Sequence, residues 1–252
     1  MEEEPVSRPN AAILVVDDET EITDLISLFL AKEGFAVHTA HEGEQAILTA
    51  EALTPDLILL DVNLGRMDGI EVCRRLRTGP CADVPILFLS CRSEDADIVN
   101  GLSEGGDDYI TKPFSPSQLV ARVHAHIRRR RMRERPPEDL SSSLSFPGLE
   151  IDLKRYEVRR QQELVPLSAK EFELLSVLAR QPNRVYALDE LYRLVWHTDS
   201  MGDTRTLMVH ISNLRKKIEP DPSRPIYIHT VRGFGYRFWA EPTPLEAASN
   251  LI

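Results

Sequence analysis

Five polar residues in the first half of the sequence follow short apolar runs, and together they carry the side chains that phosphoryl transfer requires. Asp17 and Asp18 follow the first run, Asp61 ends the third, Ser90 ends the fourth, and Lys112 follows the fifth. Three carboxylates brought together repel one another, and a divalent cation relieves that repulsion. Mg²⁺ takes oxygen ligands and commonly bridges carboxylates to phosphate. A neighbouring lysine and serine can pair with phosphoryl oxygens, so the sequence predicts a magnesium-dependent phosphoryl site.

The elements that must position these residues alternate along the chain. Apolar runs at 13–16, 35–39, 57–60, 86–89 and 109–110 are separated by predicted helices near 19–33, 42–52, 68–77, 94–104 and 115–130. This alternation predicts a doubly wound, five-stranded parallel sheet, a flavodoxin-like α/β fold. Ligands of such sheets bind beyond the carboxyl ends of the strands. Each polar residue alone could be a turn former or a helix cap, but one at each strand end indicates a site. The first predicted helix carries one apolar stripe at helical spacing: Ile22, Leu25, Ile26, Phe29 and Leu30.

The first ~127 residues resemble a response-regulator receiver domain. The matching segments are ILVVDDE (13–19), LILLDVNL (57–64), ILFLS (86–90) and GGDDYITKPF (105–114). The resemblance implies that Asp61 accepts a phosphoryl group from a sensor histidine kinase and that Lys112 contacts that group. It also implies that Ser90 and Tyr109 form the switch pair and that the peptide bond before Pro113 is cis.

The resemblance also implies a ligand set for Mg²⁺. Asp18 and Asp61 would ligate the cation directly, with the backbone carbonyl of Asn63, and Asp17 would act through water. Asn63 and Arg92 each lie two residues after a site residue, and we hypothesise that they set the lifetime of the phosphoryl group. The sequence departs from the family at Gly65-Arg66, where Pro-Gly is usual, and at Cys91, where alanine is common. Cys91 could be a redox sensor or a small buried thiol.

Charge and composition divide the chain. Residues 1–127 hold 23 acidic and 9 basic residues (−14), and residues 128–252 hold 17 and 21 (+4), which together give the net charge of −10. This asymmetry indicates two domains with different partners. We predict a disordered N-terminus at 1–10, a receiver at 11–130, a linker at 131–143, a second domain at 144–240 and a flexible tail at 241–252. Three cysteines, no ~18-residue apolar run and no signal-like start predict a cytoplasmic protein without membrane contact.

The second half has the pattern of a winged helix. Short alternating segments at 149–153, 156–159 and 164–167 predict a small antiparallel sheet. Ser168 and Glu171 form a capping-box pattern at the start of a helix. Further helices are predicted at 188–196 and 204–218, followed by a β-hairpin over 226–239 with a basic tip. Together they predict an α+β winged helix-turn-helix domain after the receiver.

The segments RTLMVHISNLRKKIE and YIHTVRGFGYRF resemble the OmpR/PhoB-type effector domain, over roughly residues 144–240. In such a domain the third helix enters the major groove of DNA. The predicted contacts lie on the helix faces away from its apolar stripe and on the wing: Arg205, Thr206, Val209, His210, Ser212, Asn213, Arg215, Lys216, Lys217 and Arg232. Met208 and Asn213 replace a frequent aspartate and a frequent arginine, which leaves the DNA sequence open.

The receivers of this family dimerise through the fourth helix, fifth strand and fifth helix. The resemblance implies Asp108 with Arg122 as one salt-bridge pair of the interface, and Asp107 could meet Arg129 similarly. Ile98 and Gln118 replace the customary oppositely charged pair, so we expect a more apolar patch. We predict a homodimer on phosphorylation that binds direct-repeat half-sites and that has RNA polymerase as a further partner.

Two other functions fit parts of the sequence. A constitutive or ligand-controlled DNA binder would keep both domains and lack the phosphoswitch, but the acidic set with Ser90 and Lys112 argues against it. An aspartyl-phosphate hydrolase would need a second aspartate two residues after the nucleophile, where Asn63 stands. No P-loop, G-x-S-x-G or H-E-x-x-H motif is present. We therefore predict no enzymatic activity beyond phosphotransfer to the chain itself and its own dephosphorylation.

Overall fold

The computed structural model of the chain describes residues 11–91, 95–133, 143–197 and 204–240. The side chains of residue 91 and of residues 95–98 and 129–133 also lie outside this description. The chain divides into two compact units, residues 1–135 and residues 136–252. Each unit has its own hydrophobic core.

The first unit is a five-stranded parallel sheet with helices between its strands. Its elements are β1 (Ala12–Val16), α1 (Thr20–Lys32), β2 (Ala36–Ala40), α2 (Gly43–Leu53), β3 (Leu57–Asp61), α3 (Gly69–Arg77), β4 (Ile86–Cys91), α4 (Asp95–Ser103), β5 (Asp108–Lys112) and α5 (Pro116–Arg133). The strand order is β2-β1-β3-β4-β5, and each neighbouring pair is parallel. The predicted doubly wound sheet is therefore confirmed.

The buried residues of the first unit agree with the predicted apolar runs, except at one residue of α1. All five residues of β3 are buried, as expected for a strand covered on both faces. On α1, however, Leu25 is 48% exposed, so the predicted stripe is wrong at that residue. The buried residues of α1 are Thr23, Ile26 and Leu30, at steps of three and four. Leu25, one position before Ile26, lies at the edge of that row and is left largely exposed.

A single arginine fixes the amino ends of two strands. The Arg77 guanidinium donates to the carbonyls of Ala82, Val84 and Gly105 at 2.7–3.0 Å. It also donates to the Asp107 carboxylate at 2.8 Å, and that carboxylate accepts the Ile86 N–H at the start of β4. The end of α3 is thereby tied to the starts of β4 and β5.

The second unit contains two small antiparallel sheets and three helices. Its elements are β6 (Ser143–Phe146), β7 (Leu149–Asp152), β8 (Glu157–Arg160), β9 (Glu163–Val165), α6 (Ala169–Arg180), β10 (Tyr186–Ala187), α7 (Leu188–Trp196), α8 (Arg205–Ile218), β11 (Ile228–Val231) and β12 (Gly235–Phe238). The sheet orders are β6-β7-β8-β9 and β10-β12-β11. This is the predicted winged-helix domain, with helices α6, α7 and α8 and a wing formed by β11 and β12.

Two of these strands were not predicted, and the linker is shorter than expected. β6 alternates serine with Leu144 and Phe146, and only the latter two pack on the core. The serines weaken its strand signal. β10 has two residues and depends on pairing with β12. Because α5 runs to Arg133 and β6 begins at Ser143, the linker predicted at 131–143 overlaps both elements.

The core of the second unit joins its helices to both sheets. It includes Leu175 and Leu178 of α6, Leu191 of α7, Leu207 of α8 and Phe238 of β12, all fully buried. The capping box at the start of α6 is present, because Ser168 and Glu171 each accept a backbone hydrogen bond from the other. Among the helices in the described ranges, none combines the length and apolar character that a membrane span requires.

Candidate functional site

The carboxyl edge of the parallel sheet brings three aspartates together. Asp17 and Asp18 follow β1 and Asp61 ends β3, and each offers a carboxylate oxygen within 4.8 Å of those of the other two. Asp17 and Asp61 are buried, whereas Asp18 is exposed. The Asp17 carboxylate also accepts the backbone N–H of Glu19 at 3.1 Å. The convergence predicted from strand ends is confirmed, and oxygen-only ligands at this spacing suit a hard divalent cation.

Lys112 joins two of these carboxylates. Its ammonium Nζ donates to Asp17 Oδ2 at 2.7 Å and to Asp61 Oδ2 at 2.9 Å. Burial raises the pKa of Asp61 to about 6, although Lys112 acts in the opposite direction. Burial also opposes the charge on Lys112, but the hydrogen bonds to Asp17 and Asp61 outweigh it and raise the pKa of Lys112. One ammonium therefore neutralises part of a site that remains net negative.

The loop after β3 contains two glycines that lie close to the site residues. Gly65 adopts φ +70°, and a Cβ placed there would lie 4.0 Å from Asp18 Oδ2. The Gly69 N–H donates to the Val62 carbonyl at 2.7 Å, and a Cβ on Gly69 would lie 2.0 Å from the Asp61 carbonyl oxygen. Asp68 caps α3 by accepting the Glu71 N–H. Gly69 was not among the residues predicted from the sequence. The Asp68-Gly69 pair at the start of a predicted helix could have indicated that the chain turns tightly there.

His41 was also missed. It follows β2, and its ring Nδ1 lies 3.1 Å from the Asp17 carbonyl oxygen, so Nδ1–H is the donor. The backbone N–H of His41 donates to the Gln45 side chain at 3.0 Å. His41 thus supports the end of β1 from the neighbouring strand. Its position after the second strand, where no charged site residue was expected, gave no signal.

The predicted switch residues are both buried. Ser90 lies on β4 opposite Thr111, and Tyr109 lies on β5 opposite Phe88. The backbone N–H of Asn63 donates to the Asp61 carboxylate and helps to lower its pKa, while the Asn63 side chain is exposed. The Lys112–Pro113 peptide bond is cis, as predicted. Arg92 and the side chain of Cys91 lie outside the described residues.

The predicted DNA-reading helix is α8, and its exposed surface is narrower than expected. Its apolar stripe is buried as predicted, but four further residues that we expected on the opposite faces are also buried: Thr206, Val209, His210 and Asn213. The expectation that these four face solvent is wrong in this structure. For His210 the reason is visible, because its ring packs on Trp196 with the centroids 5.5 Å apart. The exposed residues of α8 are Met208, Ser212 and Lys216.

Two of the predicted DNA contacts, Lys217 and Arg215, have partners within the domain. Lys217 Nζ donates to the buried Glu171 carboxylate at 2.6 Å. Arg215 donates through Nε and Nη2 to the Ile228 carbonyl and through Nη2 to the Thr230 hydroxyl. These bonds anchor α8 to α6 and to the wing. Arg232 at the wing tip is exposed, as expected, and Arg205 is half-buried.

Comparison with known proteins identifies both units. Residues 13–124 match the response regulator receiver domain family, and residues 161–238 match the family described as transcriptional regulatory protein, C terminal. The alkaline phosphatase synthesis transcriptional regulatory protein PhoP of Bacillus subtilis is 45% identical, over 90% of this chain and 96% of its own. The chain belongs to the OmpR/PhoB-type response regulators. It is thus a two-component, DNA-binding response regulator, whose domains imply a histidine kinase and DNA as partners.

Other relatives agree with this assignment of the response regulator. The DNA-binding response regulator MtrA of Mycolicibacterium smegmatis is 43% identical, over 89% of this chain and 95% of its own. Among solved structures, two RitR mutants match with TM-scores of 0.72 and 0.69 at 29% identity, each over 92% of this chain and 100% of theirs. The similarity therefore extends across both domains.

One residue pair predicted for the dimer interface of this response regulator, Asp108 with Arg122, is engaged within the chain. Arg122 donates to Asp108 at 2.6 Å, both side chains are buried, and the Asp108 carboxylate also accepts the Tyr109 N–H. Although burial acts against it, the charges of Arg122 and His126 hold the pKa of Asp108 far below its usual range. An interface role for the Asp108–Arg122 pair stays a prediction.

The second predicted interface pair is only partly described. The Asp107 carboxylate is bound by Arg77, towards the amino end of the sheet. The side chains of its predicted partner Arg129 and of Ile98 lie outside the described residues, and Gln118 is half-buried. The contact between Asp107 and Arg129 and the apolar character of the patch therefore stay predictions.

Proposed function

We propose that a sensor histidine kinase phosphorylates this response regulator on Asp61, and that phosphorylation promotes receiver dimerisation and promoter binding. The observation that carries this proposal is the placement of Asp61. Its carboxylate lies beside those of Asp17 and Asp18 and within 2.9 Å of Lys112 Nζ. Phosphoryl transfer asks a protein mainly for positioning and for neutralisation of charge, and this arrangement offers both.

In the proposed reaction an oxygen of the Asp61 carboxylate attacks the phosphorus of a phosphohistidine. The new O–P bond forms as the N–P bond breaks, and the imidazole nitrogen leaves with the electron pair. Lys112, already within hydrogen-bond distance of Asp61, can follow the charge onto the phosphoryl oxygens. Because Lys112 also holds Asp17, it keeps the two carboxylates together before transfer.

The donor set fits Mg²⁺. Three clustered carboxylates carry more negative charge than one ammonium can neutralise, which favours a bound cation. Asp18, Asp61 and the Asn63 backbone carbonyl would hold it directly, and Asp17 would hold it through water. A bound Mg²⁺ would supply charge neutralisation at the phosphoryl oxygens. Asp18 is the exposed member of the set.

The acylphosphate would alter the receiver surface through the switch pair. It adds a charge of about −1.5 to −2, which draws a hydrogen-bond donor towards it. Ser90, the next-to-last residue of β4, is that donor, and Tyr109 on β5 moves into the space that Ser90 leaves. The dimer then places two winged helices on direct-repeat half-sites about one helical turn apart. We expect the bound dimer to recruit RNA polymerase. We propose no enzymatic reaction beyond phosphotransfer to the chain itself and its own dephosphorylation.

The test is labelling of the full-length chain with acetyl phosphate and Mg²⁺, resolved on a phosphate-affinity gel and by intact mass. We expect one phosphoryl group on the wild type and on Asp24→Asn, an exposed aspartate of α1, and none on Asp61→Ala. Sedimentation equilibrium of the labelled protein should show dimers. An unlabelled wild type would refute the phosphorylation, and a labelled monomer at high concentration would refute the dimerisation step alone.

DNA binding separates this proposal from a constitutive DNA binder. Genomic footprinting of the wild type and of Asp61→Ala should show fewer occupied sites for the variant. Equal occupancy for the wild type and Asp61→Ala would show that the protein binds DNA but that phosphorylation does not regulate this binding.

A further inference from the structure

A pocket beside the wing holds two basic residues, His229 and Arg237, that are not among the predicted DNA contacts. It has a volume of about 400 Å³ and lies between the wing and the loop after α8. Arg215, His229, Arg232 and Arg237 line it, and no acidic side chain does so among the described residues. Three guanidinium groups around one space give it a positive potential that attracts an anion.

Arg237 supplies a second, independent observation. Its Nε is buried and has no hydrogen-bond partner within the described part of the chain. A buried donor that lacks an acceptor costs about 1–3 kcal/mol. The guanidinium of Arg237 therefore has hydrogen-bonding capacity that the described part of the chain leaves unused, and the residue lines the pocket.

Neighbouring rings hold Arg237 in position. His229 lies directly opposite Arg237 in the β11–β12 register. The Arg237 guanidinium lies over the Trp239 ring at 4.8 Å, and the His229 and Trp239 rings stack with an interplanar angle of 4°. This packing limits the side-chain motion of Arg237 and so lowers the entropy that binding would cost.

Arg215 is fixed as well. Its Nε and Nη2 donate to Ile228 and Thr230, which leaves Nη1 without a hydrogen bond in the described structure. The loop across the pocket is held by Glu219, whose carboxylate accepts the N–H groups of Ile226, Tyr227 and Ile228 at 2.7–3.2 Å. The pocket walls are therefore preorganised around donors.

We propose that this pocket binds a phosphate group through Arg237, His229 and Arg215, with Arg232 at its edge. Guanidinium groups match phosphate geometry and donate paired hydrogen bonds to it. Two sources share this chemistry: a phosphate of the DNA backbone and free inorganic phosphate. The DNA source rests on the proposed function, because the wing that carries the pocket would lie against the duplex. It makes Arg237 and His229 DNA contacts beyond those predicted from the sequence.

The DNA arm uses the full-length chain and a fluorescein-labelled duplex of random sequence, with anisotropy measured over a series of KCl concentrations. Each phosphate contact contributes about 0.9 to the slope of log K against log[salt]. Arg237→Gln should lower the slope by about one and weaken binding about threefold to tenfold. Arg224→Gln removes the same charge from an exposed position in the neighbouring loop and should change neither by as much. Arg237→Lys should restore most of the slope.

The free-anion arm uses potassium phosphate at an ionic strength held constant with KCl, followed by tryptophan fluorescence, because Trp239 contacts Arg237. Thermal melting of each variant establishes that it is folded. Free phosphate is the ligand if two results are obtained together. Phosphate must quench the wild-type fluorescence saturably and fail to do so in Arg237→Gln, and the DNA salt slopes of Arg237→Gln and Arg224→Gln must be equal. A slope lowered in Arg237→Gln without phosphate quenching would identify the DNA backbone.

The proposal is overturned if Arg237→Gln and Arg224→Gln behave alike in both arms. Failure of the proposed function gives a different result, because a wild type that binds no duplex still responds to phosphate if the pocket is an anion site.

Discussion

The acidic pocket of the receiver and the surface of α8 were predicted from the same sequence with different success. Asp17, Asp18, Asp61 and Lys112 lie together as expected. On α8, four of the predicted DNA contacts are buried, and Lys217 is paired inside the domain. A parallel sheet places the carboxyl ends of its strands at one edge whatever else packs on it. The exposed face of a helix, in contrast, depends on every neighbour.

The largest expected effect concerns Asp108 of β5 and Arg122 of α5, which were predicted from the sequence to lie in a dimer interface. Asp108→Asn should destabilise the receiver by about 3–5 kcal/mol, because it leaves the Arg122 charge buried without its counterion. Urea unfolding of the full-length chain measures this against Asp24→Asn as control. A loss below about 1 kcal/mol would show that the pair belongs to a surface and not to the core.

The same variant should have a pH signature. The pKa of Asp108 is lowered in the folded state, so its contribution is fully present above its unfolded pKa of about 3.9 and is lost as the pH falls towards its folded pKa. The difference in unfolding free energy between wild type and Asp108→Asn should therefore narrow below about pH 4. A difference that stays constant down to that range and below would contradict the assignment.

The next effect tests the chemistry of the aspartate site in the receiver. Lys112→Gln should slow labelling by acetyl phosphate by about 100-fold, as expected when a donor to developing phosphoryl charge is removed. The rate of appearance of the shifted band on a phosphate-affinity gel measures it. Lys32→Gln, at an exposed lysine of α1, should label at the wild-type rate. Equal rates for both variants would remove Lys112 from the reaction.

A third effect tests the backbone beneath Asp61. Gly69→Ala places a Cβ about 2 Å from the Asp61 carbonyl oxygen and should cost about 1–3 kcal/mol in unfolding free energy. Gly79→Ala is the matched control, because its Cβ would meet no atom closer than 3.6 Å. If both variants unfold at the same urea concentration, the loop yields and Gly69 does not constrain Asp61.

The smallest effect separates two adjacent lysines of α8. Lys216 is exposed, whereas Lys217 is bound to Glu171. Lys216→Gln should weaken binding to a random duplex about threefold and lower its salt slope by about one, and Lys217→Gln should change both less. Fluorescence anisotropy over a salt series decides between them. The reverse order would mean that Lys217 leaves Glu171 when DNA binds.

These differences show what a sequence can and cannot specify. Alternation of strands and helices was enough to place Asp61 and Lys112, because topology alone brings strand ends together. It could not place Gly69 or His41, whose contacts depend on loop paths. Nor could it pair His229 with Arg237, which requires the register of the wing hairpin. Helical spacing gave the buried stripe of α8, but the burial of Asn213 on another face follows from packing that spacing does not encode.

The contacts of Arg77 have a consequence for the proposed switch. One guanidinium ties the starts of β4 and β5 to α3, and this tie does not involve the aspartate site. Ser90 and Lys112 lie near the other ends of the same two strands. If Asp61 is phosphorylated as proposed, we therefore expect the amino ends of β4 and β5 to stay in place while their carboxyl ends and the loops beyond them move.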